Sequence, residues 1–233
     1  MKEIYQKVIR GRGSIGKVPQ MAEKIGMARP LIVGSRTLTG RLLRKVPGLL
    51  PQPVFSEYHP NPDLQDAIPG AELFLRQECD GILSIGGGSA MDTAKAVKAI
   101  LLAGSPENAM KACYPEEVKN IPHLAIPGTA GTGAEATSNA VVYVENKKVS
   151  LCHPALRPDG VILDPELLDL LPEYHKKSCA LDALSQGIES YWCKNSTDDS
   201  RLHAYLAIRG VLDNLKKYLA GDLHSAEEKV HKQ

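Results

Sequence analysis

Residues 81–95 read GILSIGGGSAMDTAK. The run from Gly81 to Gly86 is short, apolar and bounded by glycine, as in a strand buried on both faces. Glycines continue through Gly88, and from Ser89 to about Leu102 the apolar residues recur at helical spacing. A strand that passes through glycines into a helix is a place where a diphosphate can meet unblocked backbone amides. The backbone approaches closely, and the free N–H groups and positive dipole end of the helix favour the anion. The plainer reading is a tight turn with Ser89 as N-cap.

Outward from this stretch the pattern repeats. Residues 30–34 (PLIVG) predict a strand, 37–46 a helix, 54–58 a second strand, 63–77 a helix, and 123–127 (HLAIP) a fourth strand. Strands separated by helices of this length predict a parallel sheet with both faces covered. Residues 140–145 and 147–153, joined across Asn146, predict a hairpin. After Asp164-Pro165 the segments 176–192 and 198–218 carry helical spacing and no further strand. The chain therefore divides near Pro165 into an α/β domain, residues 1–165, and the start of an all-helical domain, residues 166–233. Ser225 and Glu228 form a capping box, and the chain stops about two turns later without a helix stop signal, which reads as a truncation.

Composition excludes several classes. The 233 residues carry 28 Lys+Arg against 27 Asp+Glu with no dense basic run, so there is no electrostatic footprint for nucleic acid or an anionic membrane. Apolar stretches are too short to span a bilayer, and the N-terminus lacks a signal-peptide core. Five scattered cysteines without a Cys-x-x-Cys fit a reducing, cytoplasmic setting better than a disulfide framework.

Three further segments bear on chemistry. Residues 11–16 (GRGSIG) match the G-x-G-x-x-G dinucleotide fingerprint, but the strand at 30–34 ends in Gly34-Ser35-Arg36, without the acid that should meet the ribose. A tight strand-to-helix turn is the preferred reading. Residues 125–137 (AIPGTAGTGAEAT) form a second small-residue loop after a strand, suited to line a ribose or nicotinamide or to serve as a plain connector. In 182–189 (DALSQGIE), Asp182 and Gln186 stand four apart on a predicted helix and share a face, either as paired ligands for one ion or as a solvated surface.

In this order, GGGSAMDTAK, IPGTAGTGAEAT, VILDPELLDLLP and DALSQGIESYW resemble the iron-containing (group III) alcohol dehydrogenases. The resemblance covers roughly the first three-fifths of a typical member. It implies an α/β nucleotide-binding domain, a helical metal-binding domain, and an active site in the cleft between them. Gly87, Gly88 and Ser89 would hold the diphosphate of NAD or NADP. Asp92 of the same motif belongs to the cofactor set, as do Asn61 in His59-Pro60-Asn61-Pro62 and Lys148 on the nicotinamide side. Thr129 and Thr132 would lie by the ribose and nicotinamide, although Gly128 stands where most members have another Thr. Ser35 occupies the position at which NAD-selective members carry Asp; with Arg36 behind it, NADPH is favoured over NADH.

Asp182 matches the family's aspartate ligand for Fe(II) or Zn(II). Gln186 stands where the family has His, and an amide oxygen is a poorer ligand than imidazole. The family's other metal-binding histidines would fall beyond Gln233; His175, His203, His224 and His231 are poorly placed substitutes. The Asp-Ala-Leu-Ser-Gln variant is similar to members that reduce phosphonoacetaldehyde. The activity implied is hydride transfer between NAD(P)H and a small aldehyde or primary alcohol, with a homodimer as the family default. Competing readings are a sister polyol or sugar-phosphate dehydrogenase, a nucleotide-binding fragment that performs no chemistry, and a purely structural domain.

Overall fold

A computed structural model describes residues 6–117, 120–169 and 171–220. His224, Ser225, Glu228 and His231 lie outside them. The chain forms two units. The first runs to Gly128 and resumes over Ala134–Asp164; the second comprises Thr129–Gly133 and the chain from Pro165 onward.

In chain order the first unit contains β1 (Lys7–Arg10), α1 (Val18–Lys24), β2 (Pro30–Gly34), α2 (Arg36–Lys45), β3 (Val54–Phe55), α3 (Leu64–Arg76), β4 (Gly81–Gly86) and α4 (Gly88–Ala103). The short α5 (Pro106–Met110), β5 (His123–Pro127), β6 (Asn139–Val144), β7 (Lys147–Cys152) and β8 (Gly160–Leu163) follow. Six strands form one sheet in the order β1-β8-β5-β4-β2-β3, and every neighbouring pair in it is parallel. The strands β2, β4 and β5 are buried along their whole length, which is why they read as continuous apolar runs rather than alternating ones. The helix α4 is buried on nearly every side, packing on α3, on the sheet and on β6.

Strands β6 and β7 pair separately as an antiparallel hairpin. Its two turn residues, Glu145 and Asn146, have φ of 50° and 62°, the conformation that matches the twist of a two-residue hairpin.

Two elements differ from the sequence reading. The strand expected over 54–58 is only two residues long, because Val33 of β2 faces Phe55 and α2 begins at Arg36, leaving 56–58 without a ladder partner. Residues 160–163 form β8, an interior strand between β1 and β5; flanking turn residues at Asp159-Gly160 and Asp164-Pro165 leave only three apolar residues as a signal.

The GRGSIG segment lies between β1 and α1, and its amides are already occupied. Gly13 N–H donates to Asp164 Oδ1 at 3.1 Å and Ile15 N–H to Asp164 Oδ2 at 2.9 Å. A carboxylate from the end of β8 thus fills the place a phosphate would take, and the fingerprint acts as a structural turn.

The second unit contains α6 (Glu173–Trp192) and α7 (Asp198–Leu219). Thr197 caps α7, with reciprocal bonds to Ser200. The helices are antiparallel: Gly187 lies against Ala204 and Ile208, while Cys179 lies near Tyr218. Small buried residues, Ala180, Gly187 and Ala204, form the seam.

Replacing Asp164 by Asn turns one acceptor oxygen into a donor facing an amide N–H. Asp164→Asn is expected to cost about 1–3 kcal/mol of stability in urea unfolding while leaving nucleotide affinity unchanged. A parallel loss of nucleotide binding would mean that the loop serves a ligand after all.

Candidate functional site

In an open parallel sheet, ligands bind beyond the carboxyl ends of strands where successive connections leave in opposite directions. From β2 the chain passes through α2 outward to β3; from β4 it passes through α4 the other way to β5. The switch point therefore lies between β2 and β4. Its lips are Gly34-Ser35-Arg36 on one side and Gly86-Gly87-Gly88-Ser89 on the other.

Close packing dictates the glycines here. A Cβ on Gly34 would stand 2.5 Å from the Ile85 carbonyl oxygen, and one on Gly86 would stand 2.6 Å from Ala90 Cβ. Gly86 also has φ of 155°, open to glycine and rarely to other residues. Gly87 is the N-cap of α4 and offers no side-chain cap, so the first-turn amides of a 16-residue helix are free to meet an anion. The cradle fits a diphosphate. Contrary to the simpler sequence reading, Ser89 is not the N-cap. Its hydroxyl instead accepts the Asn61 amide at 3.2 Å, drawing the 59–62 loop over the glycines.

That loop is held from both sides. His59 Nδ1 lies 3.0 Å from Asp66 Oδ1, and the Tyr143 amide donates to the Pro62 carbonyl at 2.9 Å. The second bond ties in the β6–β7 hairpin, on which Lys148 faces Tyr143 in register and is exposed. Ser35 caps α2, accepting from the Leu38 amide at 3.4 Å, and Arg36 beside it is exposed with no acid in the first turn. Ser35, Arg36, Asn61, Gly87, Gly88, Ser89, Asp92 and Lys148 all belong to this first unit.

Beneath the glycine turn, α4 carries three ionisable groups that helical periodicity would have turned to solvent. Burial raises the Asp92 carboxyl to about 6, against the opposing pull of Lys95, the Val141 amide and Lys148. Burial lowers Lys95 to about 8, against Asp92 and Glu135. Lys95 Nζ donates to the carbonyls of Ala134, Thr137 and Asn139 and to Thr137 Oγ1, at 2.6 to 2.9 Å. One ammonium thus gathers the segment in which the chain returns from the second unit. Lys98, one turn on, lies 3.7 Å from Asp159, whose Oδ2 also accepts the His123 amide at 2.8 Å. Neither lysine stood out in the sequence; the only available signal was that an otherwise small and apolar helix tolerated them.

The second unit holds the remaining predicted residues. Thr129 and Thr132 lie on the 129–133 segment, which packs on α6: a Cβ on Gly131 would stand 2.7 Å from the Cys179 carbonyl oxygen. Burial raises the Cys179 thiol, the nearby Asp182 carboxylate adds to the shift, and the Ala130 amide opposes it. Asp182 and Gln186 share the α6 face that carries Cys179. Gln186 Nε2 donates to the Gly131 carbonyl in a long contact of 3.4 Å, so its amide is engaged by the loop. Among the described residues no three His, Cys, Asp or Glu side chains converge as a metal centre. His175 and His203 do not join the pair. One carboxylate and one amide fall short of the three protein ligands a catalytic Fe(II) or Zn(II) site needs.

Residues 6–165 match the sequence model of the iron-containing alcohol dehydrogenases. The chain belongs to that family. It is 31% identical to an NAD-dependent methanol dehydrogenase of Bacillus methanolicus, over 96% of this chain and 61% of that protein. It is 34% identical to a phosphonoacetaldehyde reductase of Streptomyces viridochromogenes, over 81% of this chain and 48% of that protein. The structure superposes on that of sulfoacetaldehyde reductase from Bifidobacterium kashiwanohense in complex with NAD+ with a TM-score of 0.82, at 28% identity over 92% of this chain and 59% of that one. The α/β sheet with its following helices is the nucleotide-binding fold of this family and the beginning of its helical domain. The chain spans about three-fifths of the length of the methanol dehydrogenase.

The Lys95 ammonium supplies the test of how this unit is held. Lys95→Met removes the donor shared by three carbonyls and the Thr137 hydroxyl, and should cost about 3 kcal/mol or more in urea unfolding. Lys95→Arg should not restore it, since a planar guanidinium cannot replace a compact ammonium. A loss below about 1 kcal/mol, the ordinary net value of one hydrogen bond, would contradict the assignment.

Proposed function

We propose that this chain binds a nicotinamide dinucleotide in the crevice between β2 and β4, as part of an oxidoreductase interconverting a small aldehyde and its primary alcohol. The observation that carries the reading is the glycine-lined, uncapped start of α4 at the sheet's switch point. In it, the amides following Gly87, including those of Gly88 and Ser89, bind the diphosphate. Ser89 also holds the Asn61 loop against the cofactor, and Lys148, on the hairpin tied to that loop, reaches the nicotinamide side. Asp92 sets the local charge beside Lys148. By the resemblance, Thr129 and Thr132 are the candidates for the ribose and nicotinamide. When bound, the nicotinamide supplies or accepts the hydride. The sulfonate and phosphonate aldehydes named for two relatives make small anionic aldehydes the first substrates to try, in a cytoplasmic enzyme.

The finer reading of the cofactor is NADPH over NADH. A carboxylate after β2 would accept from a ribose 2′-hydroxyl and repel a 2′-phosphate. Here Ser35 spends its hydroxyl on the α2 amides, and exposed Arg36 is free of any first-turn acid. Titration of nicotinamide fluorescence should show tighter binding of NADPH. Arg36→Ala should weaken NADPH about tenfold, the worth of one charge-assisted bond, and leave NADH unchanged; Gly88→Val should remove both. Tighter binding of NADH by the unsubstituted protein would overturn the preference without touching the site.

The 233-residue chain, in which Asp182 and Gln186 are the matched metal donors among the described residues, is expected to bind nucleotide without catalysing turnover. Loaded with Fe(II) or Zn(II) and assayed with NADPH and short aldehydes, it should stay far below roughly 1 per second, the lower end of ordinary enzyme rates. Metal-dependent turnover at that rate would mean that the ligand set has been misread.

A further inference from the structure

Residues 56–61 carry the chain from the edge strand β3 to the start of α4. Phe55 of β3 lies in register with Val33, one residue before the end of β2, and β2 separates β3 from β4. Asn61 already stands at Ser89, past the end of β4. Neighbouring strands lie about 4.8 Å apart, so residues 56–60 return across the carboxyl end of β2. That end is where Ser35 and Arg36 turn into α2. Pro60, Pro62 and a positive φ of 56° at Asn61 give the return a fixed shape. Within it, the His59 and Asp63 amides both donate to Asp66 Oδ2, at 3.2 and 3.1 Å, so the start of α3 is capped without any help from the imidazole. The ring nevertheless sets Nδ1 3.0 and 3.2 Å from the two Asp66 oxygens. A carboxylate only accepts, so Nδ1 carries a proton and Nε2 is the atom left to meet another group. Among the described residues Nε2 has no partner, and the His59 side chain is 83% exposed where that of Asp66 is 13% exposed. A pair this exposed contributes little to stability; what it fixes is the direction of the ring.

We propose that His59, oriented by Asp66, is a second anchor for the 2′-phosphate of NADPH, meeting it from the loop as Arg36 meets it from the start of α2. The assignment rests on the NADPH preference proposed above. In a crevice of this kind the residue that follows β2 meets the ribose 2′ position, and that is the end of the sheet over which the loop of His59 passes. Protonated, the ring donates at both nitrogens, one to each anion, and such bonds are the strong ones. The 2′-hydroxyl of NADH carries no charge to reward the same contact, so the imidazole adds to the binding of NADPH alone.

The test is a titration of nicotinamide fluorescence with NADPH and NADH, with adenosine 2′,5′-bisphosphate and 5′-AMP as competitors that lack the nicotinamide. His59→Ala should weaken NADPH and the bisphosphate about tenfold, the worth of one charge-assisted bond, and leave NADH and 5′-AMP unchanged. His59→Gln keeps a donor for Asp66 but brings no charge to a phosphate, so it should hold the loop and still lose the same tenfold; it also serves if the alanine variant folds poorly. An equal loss for NADH and 5′-AMP would mean that the ring serves the shared part of the nucleotide or the loop itself, and would overturn the assignment. Full NADPH affinity in both variants would overturn it too, and would leave the cofactor preference standing if Arg36→Ala still discriminates. Tighter binding of NADH by the unsubstituted protein would overturn that preference, and the assignment with it.

Discussion

The α/β unit depends on a lysine that a helix of this kind should not contain. The helix α4 must sit deep in the fold, because only there do its first-turn amides lie at the switch point of the sheet. A helix buried all round would ordinarily be apolar throughout. The Lys95 ammonium is the shared donor for three carbonyls, from Ala134 in a short 3-10 turn, through Thr137, to Asn139 at the start of β6. Burial works against its charge, and the oxygen cage works for it. That balance explains why a displaced pKa and a fully bonded side chain occur together, and why neither is a sign of catalysis here.

From that anchor the site follows by short steps. The Gly128 amide donates to the Gly86 carbonyl at 2.7 Å, fixing where β5 leaves the sheet beside the glycine turn. Lys95 fixes where the chain returns at Ala134. The hairpin packs on α4, its Tyr143 amide holds Pro62, and Asn61 reaches Ser89. Four segments distant in sequence are thus referred to one helix, and the exposed Lys148 rides on the hairpin that these bonds hold, near enough to Asp92 to act on its carboxyl.

How much of this could be read in advance depended on where each residue's partner lies. The strands β2, β4 and β5 were legible because burial on both faces leaves an unbroken apolar run. The glycine turn was legible because its physical need, close approach and a free helix start, is local. The strand β8 was not, because its place between β1 and β5 is a property of topology. The occupant of the GRGSIG loop was not legible either: Asp164 stands about 150 residues away. The fingerprint was set aside for a missing acid after β2, whereas what fills it is a carboxylate from β8. The plainer alternative, Ser89 as the cap that its residue type favours, does not hold: the structure spends its hydroxyl on the Asn61 backbone amide.

The helical unit behaves differently because its residues have fewer partners among those described. The resemblance implies an imidazole where this chain carries Gln186, and the two side chains differ in more than ligand strength. An imidazole offers a ring nitrogen that must be free to ligate, whereas an amide brings two donors, and one of these already meets the Gly131 carbonyl. The side chain is thereby coupled to the 129–133 segment that carries Thr129 and Thr132.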